Sequence, residues 1–357
     1  MTHPILVIGG GVAGCAAAVA LAQQGVPVVL YEASNAVGGV AARGEHRTIC
    51  GLAPIDAVSP ILMEPEFVCA WLPFVTTGPA YRHGRVWLWP TTALTLMTGL
   101  QQRLAHASVV IHYQTRVTAM ATDKGQVISV TSTTHGTVPV RGVIDASGAG
   151  ISAQLLGLPI ADATQWPAHR SILSLPNLGM NKAARVRALH LAQQAISSDA
   201  ALALSPIGED RWQLSIDVPP TTTLAHVANL SDAIATALGG QVWTQAISIA
   251  ARDDGRPAAQ IDVATLFAQT ERGLCWAAWP QEHHHAHGTT WSWPAQNRHG
   301  IPQSAVQLNH GPRNLWLIGK GMPVDDAAAS ALRVTGTCFA LGAAVAAQAA
   351  RSCHDFK

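Results

Sequence analysis

Gly9-Gly10-Gly11-Val12-Ala13-Gly14 constrains this chain more than any other segment. Gly9, Gly11 and Gly14 occupy the fixed places of G-x-G-x-x-G. The segment follows the apolar run Ile5-Leu6-Val7-Ile8, which reads as a buried parallel strand. It opens the Ala-rich run Val12–Gln24, which reads as a tightly packed helix. A second apolar run, Val26–Glu32, ends on an acid 18 residues after Gly14. Strand, tight turn, helix and strand at this spacing make a βαβ unit near its minimum length. That unit commits the chain to an α/β fold with a parallel sheet.

Each position has a physical role. Gly9 makes the turn, Gly11 lets a pyrophosphate approach the backbone, and Gly14 permits close helix–sheet packing. Val12 and Ala13 begin the helix, whose free N–H groups and dipole favour phosphate. The Glu32 carboxylate suits ribose hydroxyls and repels a 2′-phosphate, which argues against NADP. The segment therefore predicts a Rossmann-like dinucleotide site.

Composition narrows the class. Only 12% of residues are charged, whereas about 25% is usual in soluble domains. Apolar residues reach 48%, which excludes a disordered chain. A net charge of +1 supplies no basic field for nucleic acid. The low charge raises the question of a membrane span. The longest weakly polar stretch, Ala327–Ala350, contains Arg333 and much Ala and Gly, so a buried core helix is expected there. The six cysteines are scattered with no metal-ligand spacing, and the N-terminus lacks a signal-peptide pattern. A cytoplasmic protein with reduced thiols and no bound metal is the expectation.

Further along, Leu94–Ala107 reads as a helix, and Val109–His112, Val117–Ala121, Val127–Thr133 and Thr137–Val140 read as short strands. Gly142–Asp145 is another apolar strand. Arg211–Val218 alternates as a strand, and Thr222–Leu238 reads as a helix. Pro280–Pro302, rich in His and Trp, reads as a loop, Asn314–Ile318 as a strand, and Val324–Ala350 as one long helix.

Several segments together resemble the FAD-dependent oxidoreductases of glutathione-reductase-like fold. Gly38-Gly39, followed by Arg43, matches their second glycine pair. Thr115-Arg116-Val117 resembles the strand whose backbone meets the adenine. Asp145-Ala146-Ser147-Gly148 resembles the D-A-[ST]-G return segment, and Asn314–Gly319 the late strand leading to the flavin. Arg333-Val334-Thr335-Gly336-Thr337-Cys338-Phe339-Ala340-Leu341-Gly342 is similar to the R-V-x-x-T-C-x-A-L-G helix of one broad branch. The resemblance implies FAD, with non-covalent binding favoured over attachment at Cys50. It implies an FAD-binding domain over 1–150, with a substrate-domain excursion at 51–105, and a sheet-plus-helix substrate domain inserted over 151–312. The FAD domain closes over 313–357.

One departure bears on the reaction. Aromatic hydroxylases of this fold carry a Gly-Asp pair after the late strand. Here it is Gly319-Lys320, leaving Asp325 or Asp326 as the acids for the ribityl chain. No second G-x-G-x-x-G follows, so NAD(P)H enters only as a transient visitor. The halogenase motif G-W-x-W-x-I-P is absent, Trp87-Leu88-Trp89-Pro90 being only faintly similar.

Candidates for chemistry are few, because a flavin carries the redox step. Lys320 is a source of fixed positive charge near the flavin, or a surface lysine on a turn. His46 is a candidate proton carrier and Cys50 a candidate redox partner or flavin attachment point. The helix near Val324 is expected to aim its N-terminus at the ring. His283, His284, His285 and His287 lack a metal-ligand pattern; with Trp276, Trp279, Trp291 and Trp293 they are a candidate cover for a substrate cleft, Trp87 and Trp89 a second wall. Arg252, Arg256 and Arg333 are candidate carboxylate binders, Arg333 suiting a structural pair with a buried acid or a backbone carbonyl.

The leading reading is hydride abstraction from an organic substrate, with reoxidation by oxygen or another acceptor. The first alternative is a monooxygenase acting on an aromatic group, including Trp in a partner peptide as in relatives that build quinone cofactors. The second is a non-enzymatic FAD-binding accessory protein.

Overall fold

The computed structural model describes residues 3–161, 167–178, 182–196, 200–207, 210–248, 257–285 and 287–354. Arg252 and Arg256 lie outside the described residues. Five parallel strands form the central sheet, in the order Leu315–Leu317, Gly142–Asp145, Ile5–Ile8, Val28–Tyr31, Val110–His112. Ile5 stands in register with both Val28 and Gly142. All four residues of the first strand are buried, as a sheet covered on both faces requires.

The Ala-rich helix Val12–Gln23 packs against the C-terminal helix Thr335–His354. Their backbones approach so closely that a Cβ on Gly342 would sit 2.3 Å from the Ala13 carbonyl oxygen. Small side chains on both helices permit that approach, which explains much of the low charge: these alanines are core. Helix Ala93–His106 packs on the same side. On the other face lies an antiparallel sheet of Val117–Asp123, Gln126–Ser132 and Gly136–Pro139.

The least regular part of the sequence forms a second body. Its antiparallel sheet runs Ala201–Pro206, Arg211–Asp217, Ala168–Ser174, Gln241–Ser248. Helices Lys182–Gln194 and Leu224–Ala237 cover one face, where Trp212, Leu214 and Ile216 are buried. Period-2 alternation then turns Gln213, Ser215 and Asp217 to the opposite face.

Two expectations are corrected. The single helix over Val324–Ala350 is two helices, Asp326–Leu332 and Thr335–His354, bent by 90°. The break seats Gly336 against residue 50: its N–H donates to the Cys50 carbonyl at 2.8 Å, and a Cβ there would lie 2.4 Å from that oxygen. The loop expected over Pro280–Pro302 contains a hairpin, Gln281–His285 with Gly288–Ser292. A further strand pair joins Trp276-Ala277 to His299-Gly300. No single helix among the described residues is long and apolar enough to cross a membrane.

His299 is fully buried beside the Phe267 ring, and among the described residues neither ring nitrogen has a hydrogen-bond partner. Burial alone pushes its imidazole down to about 4. The unfolded chain, with an ordinary pKa of about 6.5, then binds the proton more readily. Stability should fall as pH drops from about 6.5 to about 4, by on the order of 3 kcal/mol from this residue. Urea unfolding at pH 7 and pH 4.5 checks this. The drop should shrink in His299→Leu, and an equal drop in both proteins would assign the acid sensitivity elsewhere.

Candidate functional site

One cleft of about 1150 Å³ runs from the glycine turn to the open face of the four-stranded sheet. Small-molecule sites usually measure about 300–1,000 Å³, so this one has room for a dinucleotide and more. Gly9, at φ +97°, sits so close to the Ala146 carbonyl that a Cβ would be 2.6 Å away. Gly14 lies behind the turn, where a Cβ would be 2.0 Å from the Gly9 oxygen. Gly11 differs: a Cβ there meets nothing within 4 Å, because the position opens into the cleft. The helix that follows has no side-chain cap and no acid in its first turn, which leaves its N–H groups for an anion.

Glu32 is buried and fixed. Its carboxylate accepts from Gly10 N–H at 2.6 Å and from Ser34 N–H and Oγ at 2.7 Å each. A carboxylate offers about four lone-pair directions, so one remains for a ribose hydroxyl. Val12, Ala13, Gly38, Gly39, Arg43, Val117, Ser147, Gly148 and Gly319 also line the cleft. The cradle, the uncapped helix and the tethered acid fit a bound FAD.

Lys320 lines the cleft with its Cβ 3.6 Å from the Cβ position of Gly148. His46 and Cys50 line it as well. Burial, with the Arg170 and Arg333 cations, pushes the His46 imidazole down to about 3, so it is neutral at physiological pH. Burial, with Glu282, pushes the Cys50 thiol up to about 12, and a protonated thiol is a poor nucleophile.

Three further expectations change. The Asp325 carboxylate accepts from Ala328 N–H at 2.6 Å and Val263 N–H at 3.1 Å. It caps helix Asp326–Leu332, and neither Asp325 nor Asp326 lines the cleft. The helix end at the cleft belongs to Thr335–His354, since Val334, Thr335 and Cys338 line it. Trp87 and Trp89 form no second wall. Trp89 is buried in the main core, and Trp87 donates from Nε1 to the Ala57 carbonyl at 2.8 Å. Of the four hairpin-region tryptophans, Trp291 lines the cleft.

The tertiary structure assembles a charged cluster at the cleft's far end. Hairpin alternation turns His284 inward, toward Asp217 of the sheet. The pair meets at 3.0 Å between His284 Nδ1 and Asp217 Oδ2. His284 Nε2 lies 3.7 Å from Glu282 Oε2 and has no hydrogen-bond partner among the described residues. Burial opposes the charged imidazole, but the hydrogen bond to Asp217 and the nearby Glu282 carboxylate outweigh it and raise the pKa. Glu282 accepts from Arg333 Nη2 at 2.8 Å and Trp279 Nε1 at 3.1 Å. Burial disfavours its charge; His284, Arg333 and Trp279 more than compensate and lower the pKa. Arg333 thus pairs with a half-buried acid. Asp217, Glu282 and the special status of His284 escape sequence reasoning. Only the alternation of Arg211–Asp217 hints that Asp217 faces away from the core. Among the described residues no His, Cys, Asp and Glu group is arranged to hold a metal.

A family model described as FAD dependent oxidoreductase matches residues 4–216 and 258–355. The chain belongs to this family. It is an oxidoreductase, and the accessory-protein reading falls away. A 4,4'-diaponeurosporene oxygenase of Staphylococcus aureus (strain MRSA252) is 41% identical over 68 residues, 19% of this chain and 14% of that protein. The chain therefore matches only a small part of that relative's length. OxyS anhydrotetracycline hydroxylase from Streptomyces rimosus superposes with a TM-score of 0.54 at 13% identity, covering 100% of this chain and 65% of that one. A flavoprotein/dehydrogenase from Cytophaga hutchinsonii gives 0.49 at 14% identity, covering 99% and 79%. At 13% identity the hydroxylase and this chain share the fold alone.

Proposed function

We propose that this family member oxidises a small organic substrate seated beneath the four-stranded sheet. The substrate loses its C–H hydrogen as hydride, for which a bound FAD would be the acceptor, and gives a proton to His284. The observation that carries this reading is the continuity of the cleft, which joins the glycine cradle to an imidazole held by Asp217. In this reading Gly9, Gly11, Val12 and Ala13 hold the pyrophosphate, Glu32 the ribose and Val117 the adenine. Gly38, Gly39, Arg43, Ser147, Gly148 and Gly319 bound the rest of the cofactor. When bound, FAD would supply the two-electron acceptor, to be reoxidised by oxygen or another acceptor.

The chain's own groups do the remainder. Breaking the substrate C–H bond delivers two electrons and a proton as hydride. The adjacent O–H or N–H loses its proton to His284 Nε2, and the product is a carbonyl or imine. Asp217 holds the opposite ring nitrogen and stabilises the imidazolium. Lys320 and the N-terminus of helix Thr335–His354 place positive potential along the cleft, where it would favour negative charge on a bound cofactor. Neutral His46 and protonated Cys50 act as walls.

A second reading, oxygenation of an aromatic C–H with O₂ and NAD(P)H to give C–OH and water, is favoured by the fold shared with anhydrotetracycline hydroxylase. Gly319-Lys320 in place of Gly-Asp speaks against it. Anaerobic mixing separates the two. A panel of alcohols, amines, hydroxy acids and amino acids should include a donor that bleaches the flavin band without NAD(P)H. No bleaching by any donor, with NAD(P)H consumed in step with oxygen and an aromatic compound, would replace the first reading by the second.

A further inference from the structure

Arg170 lies on the cleft face of the four-stranded sheet, opposite Ser215 in register. Around it that face carries Ala168, Ala201, Ala203, Ser205 and Ser215, side chains small enough to leave space above them. Asp217, the partner of His284, is two residues from Ser215 on the same face. Diagonal neighbours of this kind stand about 7–8 Å apart. A partly buried cation and a proton-accepting pair therefore share one small floor.

The Arg170 side chain is oriented by neutral groups. Nη1 donates to the Gly44 carbonyl at 2.7 Å. With its amide oxygen turned toward the guanidinium, Gln213 accepts from Nη2 at 3.1 Å and Nε at 3.2 Å. A guanidinium has five N–H donors, so two remain, one on each terminal nitrogen. No described carboxylate lies within ion-pair distance of Arg170. The nearby acids are engaged: Glu282 by Arg333 and Asp217 by His284. Burial, partly offset by Glu282, lowers the Arg170 pKa to about 10, so it stays charged at neutral pH. A guanidinium withdrawn from water without a counter-ion is costly, and a matching anion removes that cost.

We infer that the substrate oxidised in this cleft carries a carboxylate, received by the two remaining N–H groups of Arg170. The inference rests on the reading of the cleft as a substrate site, and it names the substrate class. Gly44 and Gln213 pre-orient the fork, so little ordering is left for binding. Arg170 is then a specificity residue: it selects anionic substrates and sets which end of them lies near His284.

Calorimetric titration of the FAD-loaded protein tests this without turnover. The probes are acetate, benzoate and phenylacetate, each against its neutral amide. At least one carboxylate should bind, with its amide at least tenfold weaker. Arg170→Met should weaken that carboxylate at least tenfold and leave FAD content unchanged. Arg170→Lys, which keeps the charge but loses the fork, should fall between. The inference is overturned if none of the three carboxylates binds, if acid and amide bind alike, or if Arg170→Met binds the carboxylate as wild type does. It is also overturned if FAD is lost in Arg170→Met and retained in Arg170→Lys, which would assign the cation to the cofactor. Should Arg170→Met fail to fold, the acid–amide comparison and Arg170→Lys decide alone. Absence of flavin bleaching by any donor leaves these titrations intact, so failure of the hydride reading and failure of the anion reading are seen separately.

Discussion

Gly11→Val should yield a folded, colourless protein. The residue caps the first helix with φ −68° and ψ 179°, an extended backbone that valine adopts without strain. Its Cβ would meet no atom within 4 Å, so packing of the chain itself is undisturbed. The isopropyl group would instead project into the cleft where the pyrophosphate must approach the helix N-terminus. FAD content should fall at least tenfold, with circular dichroism retained. Gly14→Ala makes the opposite case. Its methyl group would press on the Gly9 oxygen at 2.0 Å, and overpacking of this kind costs about 1–3 kcal/mol. That variant should lose stability before it loses colour. Yellow Gly11→Val protein with stoichiometric FAD would remove the cofactor assignment from this turn.

His284→Gln should slow flavin reduction by the bleaching donor about 10²- to 10⁴-fold, the usual contribution of a placed general base. FAD content should be unchanged, because the cluster lies at the far end of the cleft. The imidazole must be neutral to accept a proton. The hydrogen bond to Asp217 and the nearby Glu282 carboxylate raise its pKa, so the reduction rate should climb with pH through a value above about 6.5 and then level. Asp217→Asn removes one of the groups that raise it and should move that inflection to lower pH. Flavin reduction in His284→Gln within threefold of wild type would exclude this residue as the base, and an unmoved inflection in Asp217→Asn would exclude the pair.

The two variants probe parts of the site that differ in how legible they are. Gly9, Gly11, Gly14 and Glu32 sit within one βαβ unit, and their roles follow from steric rules over a few residues. Asp145 is equally local: it accepts from Ser147 N–H at 2.9 Å and Ser152 N–H at 2.8 Å, within its own turn. The Asp217–His284 pair spans 67 residues and the Glu282–Arg333 pair 51. Neither has a motif, since only the folded sheet and hairpin bring the members together. In the His283–His285 run, strand alternation selects the middle imidazole for the cleft, whereas His283 and His285 lie against each other with ring centres 5.7 Å apart. A run of histidines read as a loop conceals that choice.

The break at Arg333-Val334 shows the same limit. Alanine favours helix throughout Ala327–Ala350, and no proline interrupts it. The bend is instead accompanied by long-range contacts, Gly336 against Cys50 and Arg333 against Glu282. Propensity is worth tenths of a kcal/mol per residue and yields to such packing. The amino-acid sequence by itself determined the parallel sheet, the glycine cradle and the buried alanine helices behind a 12% charge. Each of these depends on backbone sterics and burial within a short span. Only the tertiary structure decided which helix end meets the cleft, which histidine faces it and where Arg170 stands. Those depend on residues far apart in the chain sharing one withdrawn space, where charge and hydrogen bonding act across it.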